Sequence, residues 1–174
     1  MKLLLHICCG PCAVYPVKVL KQENTDIYGV FFNPNIHPYM EYKARLESAN
    51  RFCKTESIPL EELEGYGLEN FLKKAVFAGN RCYECYDTRL DRIALEAKAK
   101  GYDAFSTTLL VSPYQKHELL RDIGKKIEDK YEIEFLYRDF REGFREGRQK
   151  AREMGLYMQK YCGCIYSEKE RYLR

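Results

Sequence analysis

The sequence predicts an α/β fold with a single, mostly parallel, doubly wound sheet, and two observations carry that expectation. Short apolar runs rich in branched and aromatic residues alternate with longer amphipathic stretches, the pattern of repeated strand–helix–strand units. Sulfur and polar residues follow three of those runs directly, and such folds bind ligands beyond the C-terminal ends of their strands. At 174 residues the chain can build one such domain with a proper core.

Each element can be justified in turn. Residues 2–7 form an apolar run that reads as a buried strand and leads straight into Cys8-Cys9-Gly10-Pro11-Cys12. Residues 11–22 are helical in pattern, with Val14, Val17 and Leu20 recurring on one side. Residues 27–32 are a second strand, closed by the turn residues Asn33-Pro34-Asn35. A helix with a charged outer face is expected over 39–56 and a short strand over 58–63. Helices follow over 68–77 and 86–100, the second stopped by Gly101. Residues 103–110 read as a strand ending in Thr107 and Thr108. Ser112-Pro113-Tyr114-Gln115 then offers a cap, a first-turn proline and a glutamine, and is expected to open a helix to residue 130. A strand over 132–137, a helix over 141–154 and a helical ending after residue 164 complete the chain, with no internal repeat or low-complexity linker.

Composition narrows the class. Hydrophobic content of 45% and charged content of 32% are ordinary for a soluble domain, and no apolar stretch approaches bilayer length. The opening leucine run is broken by His6 after three leucines, so no signal peptide is expected. The expected compartment is the cytoplasm, with no membrane partner; there eight cysteines serve metals or catalysis rather than structural disulfides. Net charge is only +3, but from residue 138 onward ten Lys/Arg stand against six Asp/Glu. The whole positive balance therefore lies in a basic, helical C-terminal part, residues 138–174.

Seven of the cysteines fall in three groups: Cys8, Cys9 and Cys12; Cys82 and Cys85; Cys162 and Cys164. The first admits two readings. Cys9-Gly10-Pro11-Cys12 has the spelling of a thioredoxin pair at a helix start. Alternatively, adjacent thiolates on a turn point into one crevice while Cys82-Tyr83-Glu84-Cys85 closes from the other side, enough donors for a 4Fe–4S centre or a tetrahedral zinc. Cys162-Gly163-Cys164 suits a strained, easily reduced pair that relays electrons, or else two further metal ligands. Cys53 sits in a helical pattern and is expected in the core, as is His6, whereas His37 and His117 are expected at the surface or as caps. Asp87, Asp91 and Asp139 are candidate metal or proton partners, and Asp139 follows a strand most directly.

Arg138, Arg141, Arg145, Arg148 and Arg152 are spaced 3, 4, 3, 4, which on a helix forms one stripe. Glu142, Glu146 and Glu153 lie beside it, so the stripe is either a salt-bridged surface or a ridge that tracks phosphates, with nearby tyrosines to stack unpaired RNA bases. No helix-turn-helix or zinc-finger signature supports duplex DNA readout.

Taken together, His6-Ile7-Cys8-Cys9-Gly10-Pro11-Cys12, Arg81-Cys82-Tyr83-Glu84-Cys85 with Arg89-Leu90, Ser106-Thr107-Thr108-Leu109 with Ser112-Pro113-Tyr114, Asp139-Phe140-Arg141 and Tyr161-Cys162-Gly163-Cys164-Ile165-Tyr166-Ser167 resemble the cobalamin-independent epoxyqueuosine reductase family. The resemblance spans almost the whole chain in order. It implies a Rossmann-like fold of the HUP group and reduction of the epoxide on the wobble nucleoside of certain tRNAs, the last step of queuosine synthesis. It further implies that Cys8, Cys9, Cys82 and Cys85 bind a 4Fe–4S cluster and that Cys162 and Cys164 form a redox-active disulfide. Cys12 is left either beside the cluster or as a ligand of one additional iron, with Asp139 a second candidate for that iron or for proton transfer. Arg141, Arg145, Arg148 and Arg152 would hold the anticodon arm, and an electron donor of unidentified nature would complete the system. Two other classes, a thioredoxin-like oxidoreductase and a zinc-stabilised RNA-binding module, predict a colourless protein. An ATP-dependent tRNA-modifying enzyme would need a Ser-Gly-Gly-type phosphate loop where the first cysteines stand.

Overall fold

The computed structural model describes residues 1–173. Five strands, β1 (Lys2–His6), β2 (Asp26–Phe31), β3 (Leu60–Glu62), β4 (Ala104–Thr107) and β5 (Glu134–Phe135), pair in parallel in the order β3-β2-β1-β4-β5. The helices are α1 (Gly10–Gln22), α2 (Tyr39–Thr55), α3 (Leu68–Ala75), α4 (Arg81–Ala99), α5 (His117–Tyr131), α6 (Phe144–Glu153) and α7 (Ile165–Tyr172). Right-handed crossovers put α1 and α2 on one face of such a sheet and α4 and α5 on the other. The contacts group the same way: α1 packs on α2 and α6, and α4 packs on α3 and α5. The predicted fold class is the one observed. Strand β1 is central and buried on both faces, which is why Leu3, Leu4 and Leu5 read as an unbroken apolar run. Among the described residues no helix is long and apolar enough to cross a membrane.

The strand order reverses between β1 and β4, and the crevice of a doubly wound sheet opens at such a point. Residues after β1 become the cysteine turn and the start of α1. Residues after β4 form a 3-10 turn, Thr108–Val111. That turn corrects the strand expected over 103–110: the Thr107 side chain accepts from the Leu109 amide at 3.2 Å and ends the strand early. The next helix starts at His117, not at Ser112, because the Ser112 hydroxyl accepts from Tyr114 N (3.3 Å) in a local turn. Helix α4 starts at Arg81, earlier than residue 86, since Asn80 caps it by accepting from Tyr83 N. Both central cysteines therefore ride its first turns.

The expected arginine stripe is also corrected. Arg138 precedes the 3-10 turn Arg141–Gly143, so only Arg145, Arg148 and Arg152 lie on α6. At the break the backbone packs closely on α1: a side chain at Gly143 would meet the Tyr15 ring at 2.2 Å. Arg138 pairs with Glu23 and Arg141 with Asp139. His37 and His117, expected at the surface or as caps, are both buried, and His37 does cap, accepting from Ile165 N at the start of α7.

Candidate metal and redox centre

Cys8, Cys9 and Cys12 are all buried at the switch point, and their sulfurs lie within 4.8 Å of one another. The backbone there is fixed by Cys8 N donating to Thr108 Oγ1 (3.2 Å), while the Thr108 hydroxyl donates to Cys8 Sγ (3.5 Å). Hydrogen bonds from Cys12 and Cys9 hold the Cys8 thiol well below its usual range despite burial, whereas burial raises Cys9 and the bonds to Cys8 and Cys9 raise Cys12. Cys8 is thus biased toward the thiolate beside two further soft donors, a set that fits a thiophilic metal. Gln159 donates to Cys12 Sγ at 3.1 Å from the C-terminal segment.

Beside these sulfurs His6 is closed to metal binding. Its Nε2 faces Phe32 O and Asn33 Oδ1 (both 3.1 Å), and Nδ1 takes the hydroxyl of Thr107 (2.9 Å). Burial, then the nearby Arg89, lower its pKa to about 4, so it stays neutral and structural. Cys53 is likewise a core residue, its thiol raised to about 12 by burial.

A buried arginine lies within electrostatic reach of a sulfur from each of the three cysteine groups. Arg89 of α4 is 1% exposed and donates to the Cys85 carbonyl and to Cys85 Sγ, both at 3.1 Å. Burial works against its charge, and the sulfurs of Cys85, Cys162 and Cys8 work for it wherever they are thiolates. Desolvation raises the Cys85 thiol to about 12, with Arg89 pulling the other way. One guanidinium therefore feels a sulfur from each group. Cys82 and Cys85 stand outside the compact trio, and all eight cysteines are free thiols.

A second buried arginine clamps the Cys-Gly-Cys loop. Arg45 of α2, 2% exposed, pairs with Glu41 (2.7 Å) and donates to the carbonyls of Tyr161 and Cys162, both at 2.9 Å. Gly163 adopts φ +145, a backbone that side chains rarely take, and a Cβ there would press on Arg45 at 3.2 Å. Cys162 is exposed and receives Gln115 Nε2 at 3.4 Å; Cys164 accepts from Ser167 N at 3.3 Å where α7 begins. Spacing could have exposed both arginines. Tyr42, Arg45, Ala49 and Phe52 share a buried helix face, as do Tyr86, Arg89, Ile93 and Ala97, so each arginine is a charge on an apolar stripe. Gln115 and Gln159 carry no comparable signal.

His37 completes the clamp. Its Nε2 donates to Pro34 O (2.9 Å), so Nδ1 is the lone-pair nitrogen that accepts from Ile165 N (3.3 Å). Burial lowers its pKa, so the folded state prefers the neutral ring. Protonation would set a second N–H against that of Ile165. Stability is therefore fully present above the ordinary histidine range and falls as pH drops below it. Melting between pH 7.5 and 5 should show a decline that His37→Gln flattens; an equal decline in the variant would refute the latch.

These residues open onto a cavity of about 700 Å³ lined by Cys8, Cys12 and Cys162, the two glutamines and, as charged groups, Arg45, Arg148, Arg152, Lys160 and Arg171. No carboxylate is among the lining residues. Arg148 and Arg152 of the expected RNA ridge thus face the sulfur centre. Arg141 and Arg145 are exposed but outside the lining. Asp139 is outside it too, its carboxyl held at about 2 by Arg141, which it binds at 2.5 to 3.0 Å. Asp87 and Asp91 lie near Lys126 and Lys130 on α5.

Comparison with known proteins adds a family. A model described as epoxyqueuosine reductase QueH matches residues 3–170. A Dehalococcoides mccartyi protein of that description is 34% identical over 172 residues, covering 98% of this chain and 94% of its own. A Thermotoga maritima protein is 36% identical over 179 residues, with coverages of 97% and 91%. Among solved structures, a predicted subunit of tRNA methyltransferase from Methanocaldococcus jannaschii superposes with a TM-score of 0.59 at 13% identity, over 99% of this chain and 86% of that one. The U34-tRNA thiolase NcsA from Methanococcus maripaludis, solved with its 4Fe–4S cluster, gives 0.58 at 15% identity, over 98% and 62%. At such identities these two structures speak for the fold alone.

Proposed function

The chain belongs to the epoxyqueuosine reductase QueH family, and on that premise we propose that it reduces the epoxide of epoxyqueuosine in tRNA to the alkene of queuosine. The observation that carries this reading is a cavity that brings Cys8 and Cys12 of the first group and Cys162 of the third to one site with a wholly cationic charged lining, with Arg89, bonded to Cys85 of the second group, within electrostatic reach of Cys8 and Cys162. Cys8, Cys9, Cys82 and Cys85 would hold a 4Fe–4S cluster, and Cys12 would stand beside it or bind one additional iron. When bound, the cluster would supply single electrons at the crevice.

Removing an epoxide oxygen as water takes two electrons and two protons. The dithiol of Cys162 and Cys164 carries that number: its oxidation to the disulfide releases two electrons and two protons, leaving alkene and water. An external donor of unidentified nature would then reduce the pair again. Arg45 and Gly163 fix the loop so that Cys162 faces the cavity, and Gln115 and Gln159 orient the sulfurs on either side of it. Arg148 and Arg152 would hold RNA phosphates at the cavity wall, with Arg141 and Arg145 farther along the same face. Asp139 is ionised and engaged, so it joins metal or proton chemistry only where RNA phosphate draws Arg141 away. A cytoplasmic setting suits both the RNA substrate and the reduced thiols.

Oxygen-free purification tests the reading. A brown protein with at least about four irons per chain is expected, together with conversion of epoxyqueuosine in tRNA under a chemical reductant. Zinc alone in the protein, or iron-loaded protein inert toward that tRNA, would refute it.

A further inference from the structure

The mouth of the cavity carries an aromatic pair that the reaction itself does not use. Tyr114 is 83% exposed, although the loop presenting it is firmly pinned: Ser112 N reaches Leu109 O (3.1 Å), Gln115 N reaches Ser112 O (3.3 Å) and His117 Nε2 donates to Ser112 O (3.0 Å). The ring packs edge-on against Phe144, the first residue of α6, with centroids 5.9 Å apart and planes at 80°. Arg148 lies over the other ring of the pair, 5.6 Å from the Phe144 centroid. All three residues line the cavity.

An exposed tyrosine on a mobile tip would need no explanation. On an ordered loop it leaves a large ring face in water, where a planar partner would cover it. Position narrows the partner. The residue after Tyr114 is Gln115, which touches Cys162 Sγ, so the ring stands one residue from the reactive loop. The charges on the wall of the same cavity, Arg148 over Phe144 and Arg152 among them, are cationic, with no carboxylate among the described lining residues. A flat ring face on a cavity wall that also carries guanidinium groups is the arrangement that binds an unpaired nucleobase and its phosphates; a duplex hides its base faces.

We propose that Tyr114, backed by Phe144, is the stacking step for an unpaired base of the RNA loop next to the nucleotide being reduced, with Arg148 and Arg152 holding the adjoining phosphates. This rests on the tRNA reading above but assigns the stack by geometry alone. Tyr114 then acts in positioning, setting RNA affinity and the reach of the reacting nucleotide to Cys162.

The chain contains no tryptophan, so Tyr114→Trp makes the stack the only indole in the protein. Fluorescence of this variant, on the metal-loaded full chain, would be titrated with three probes: a hairpin RNA with a seven-base loop, a blunt RNA duplex of equal charge, and heparin. Strong quenching by the hairpin, and little by duplex or heparin at equal occupancy, is expected. Tyr114→Ala should weaken hairpin binding at least about tenfold, raise KM for the tRNA more than it lowers kcat, and keep the iron content; Tyr114→Phe should bind as the wild type does. Equal quenching by all three probes, or undiminished hairpin binding by Tyr114→Ala, would overturn the stack. Since hairpin binding is read without turnover, an inert wild type that passes the fluorescence test would strike the reductase reading and leave the stack in place.

Discussion

Cys162→Ser should stop epoxide reduction, by about 10³-fold or more, while iron content and melting stay at wild-type values. Cys162 is exposed on the cavity wall, its sulfur contacts Gln115, and its main chain is held by Arg45 through a carbonyl that serine retains. The change removes one sulfur and leaves the loop's hydrogen bonds in place. A serine hydroxyl cannot form a disulfide with Cys164, so the two-electron store disappears. Turnover within tenfold of wild type would take the pair out of the mechanism, and a loss of iron would recast Cys162 as a ligand.

Arg89→Met should have the second large effect, and its sign should depend on metal. Arg89 is buried and charged, and among the described residues its hydrogen-bond partners are the carbonyl and sulfur of Cys85. Without metal, burial keeps the Cys85 thiol protonated, so the groups that Arg89 touches are neutral and offset its desolvation only in part. Replacement by an apolar side chain of similar length is then near neutral or mildly stabilising. Once metal gathers thiolates around it, the guanidinium becomes their counter-charge. Its loss then leaves buried negative charge uncompensated, a penalty on the order of 3–5 kcal/mol. The variant should therefore show an unchanged or higher Tm without metal, a much smaller rise in Tm on iron loading, and a low iron occupancy. Equal iron binding in variant and wild type would show that the cluster draws its compensation elsewhere, with Arg45 the first candidate.

Much of this molecule is legible in the order of its residues. The three leucines of β1, the branched run of β2 and the helical periods between strands fix the layers, since a strand buried on both faces has to be apolar throughout. Placing sulfur directly after the first strand also locates the crevice, because in a doubly wound sheet that strand end lies at the switch point. Other boundaries depend on side chains that bond to a nearby backbone. Thr107 cut short the expected strand and Asn80 started α4 early, and each did so through one local hydrogen bond. The histidines misled for a related reason. His37 and His117 are polar and lie in loop-rich sequence, yet each is buried because a carbonyl meets its Nε2.

By itself the sequence determined the fold class, the parallel sheet, the grouping of the cysteines and the family, since each rests on residue types and spacings within short segments. Only the tertiary structure decided that Arg89 lies within electrostatic reach of cysteines from all three groups, that Arg45 clamps the C-terminal loop from the second helix, and that Arg148, Arg152 and Arg171 of the basic tail line the cavity while Arg138 and Arg141 are spent on Glu23 and Asp139. The physical reason is the range of the interactions. Periodicity and capping act over a few residues, whereas a buried charge is settled by whichever distant partners the fold brings within hydrogen-bond distance.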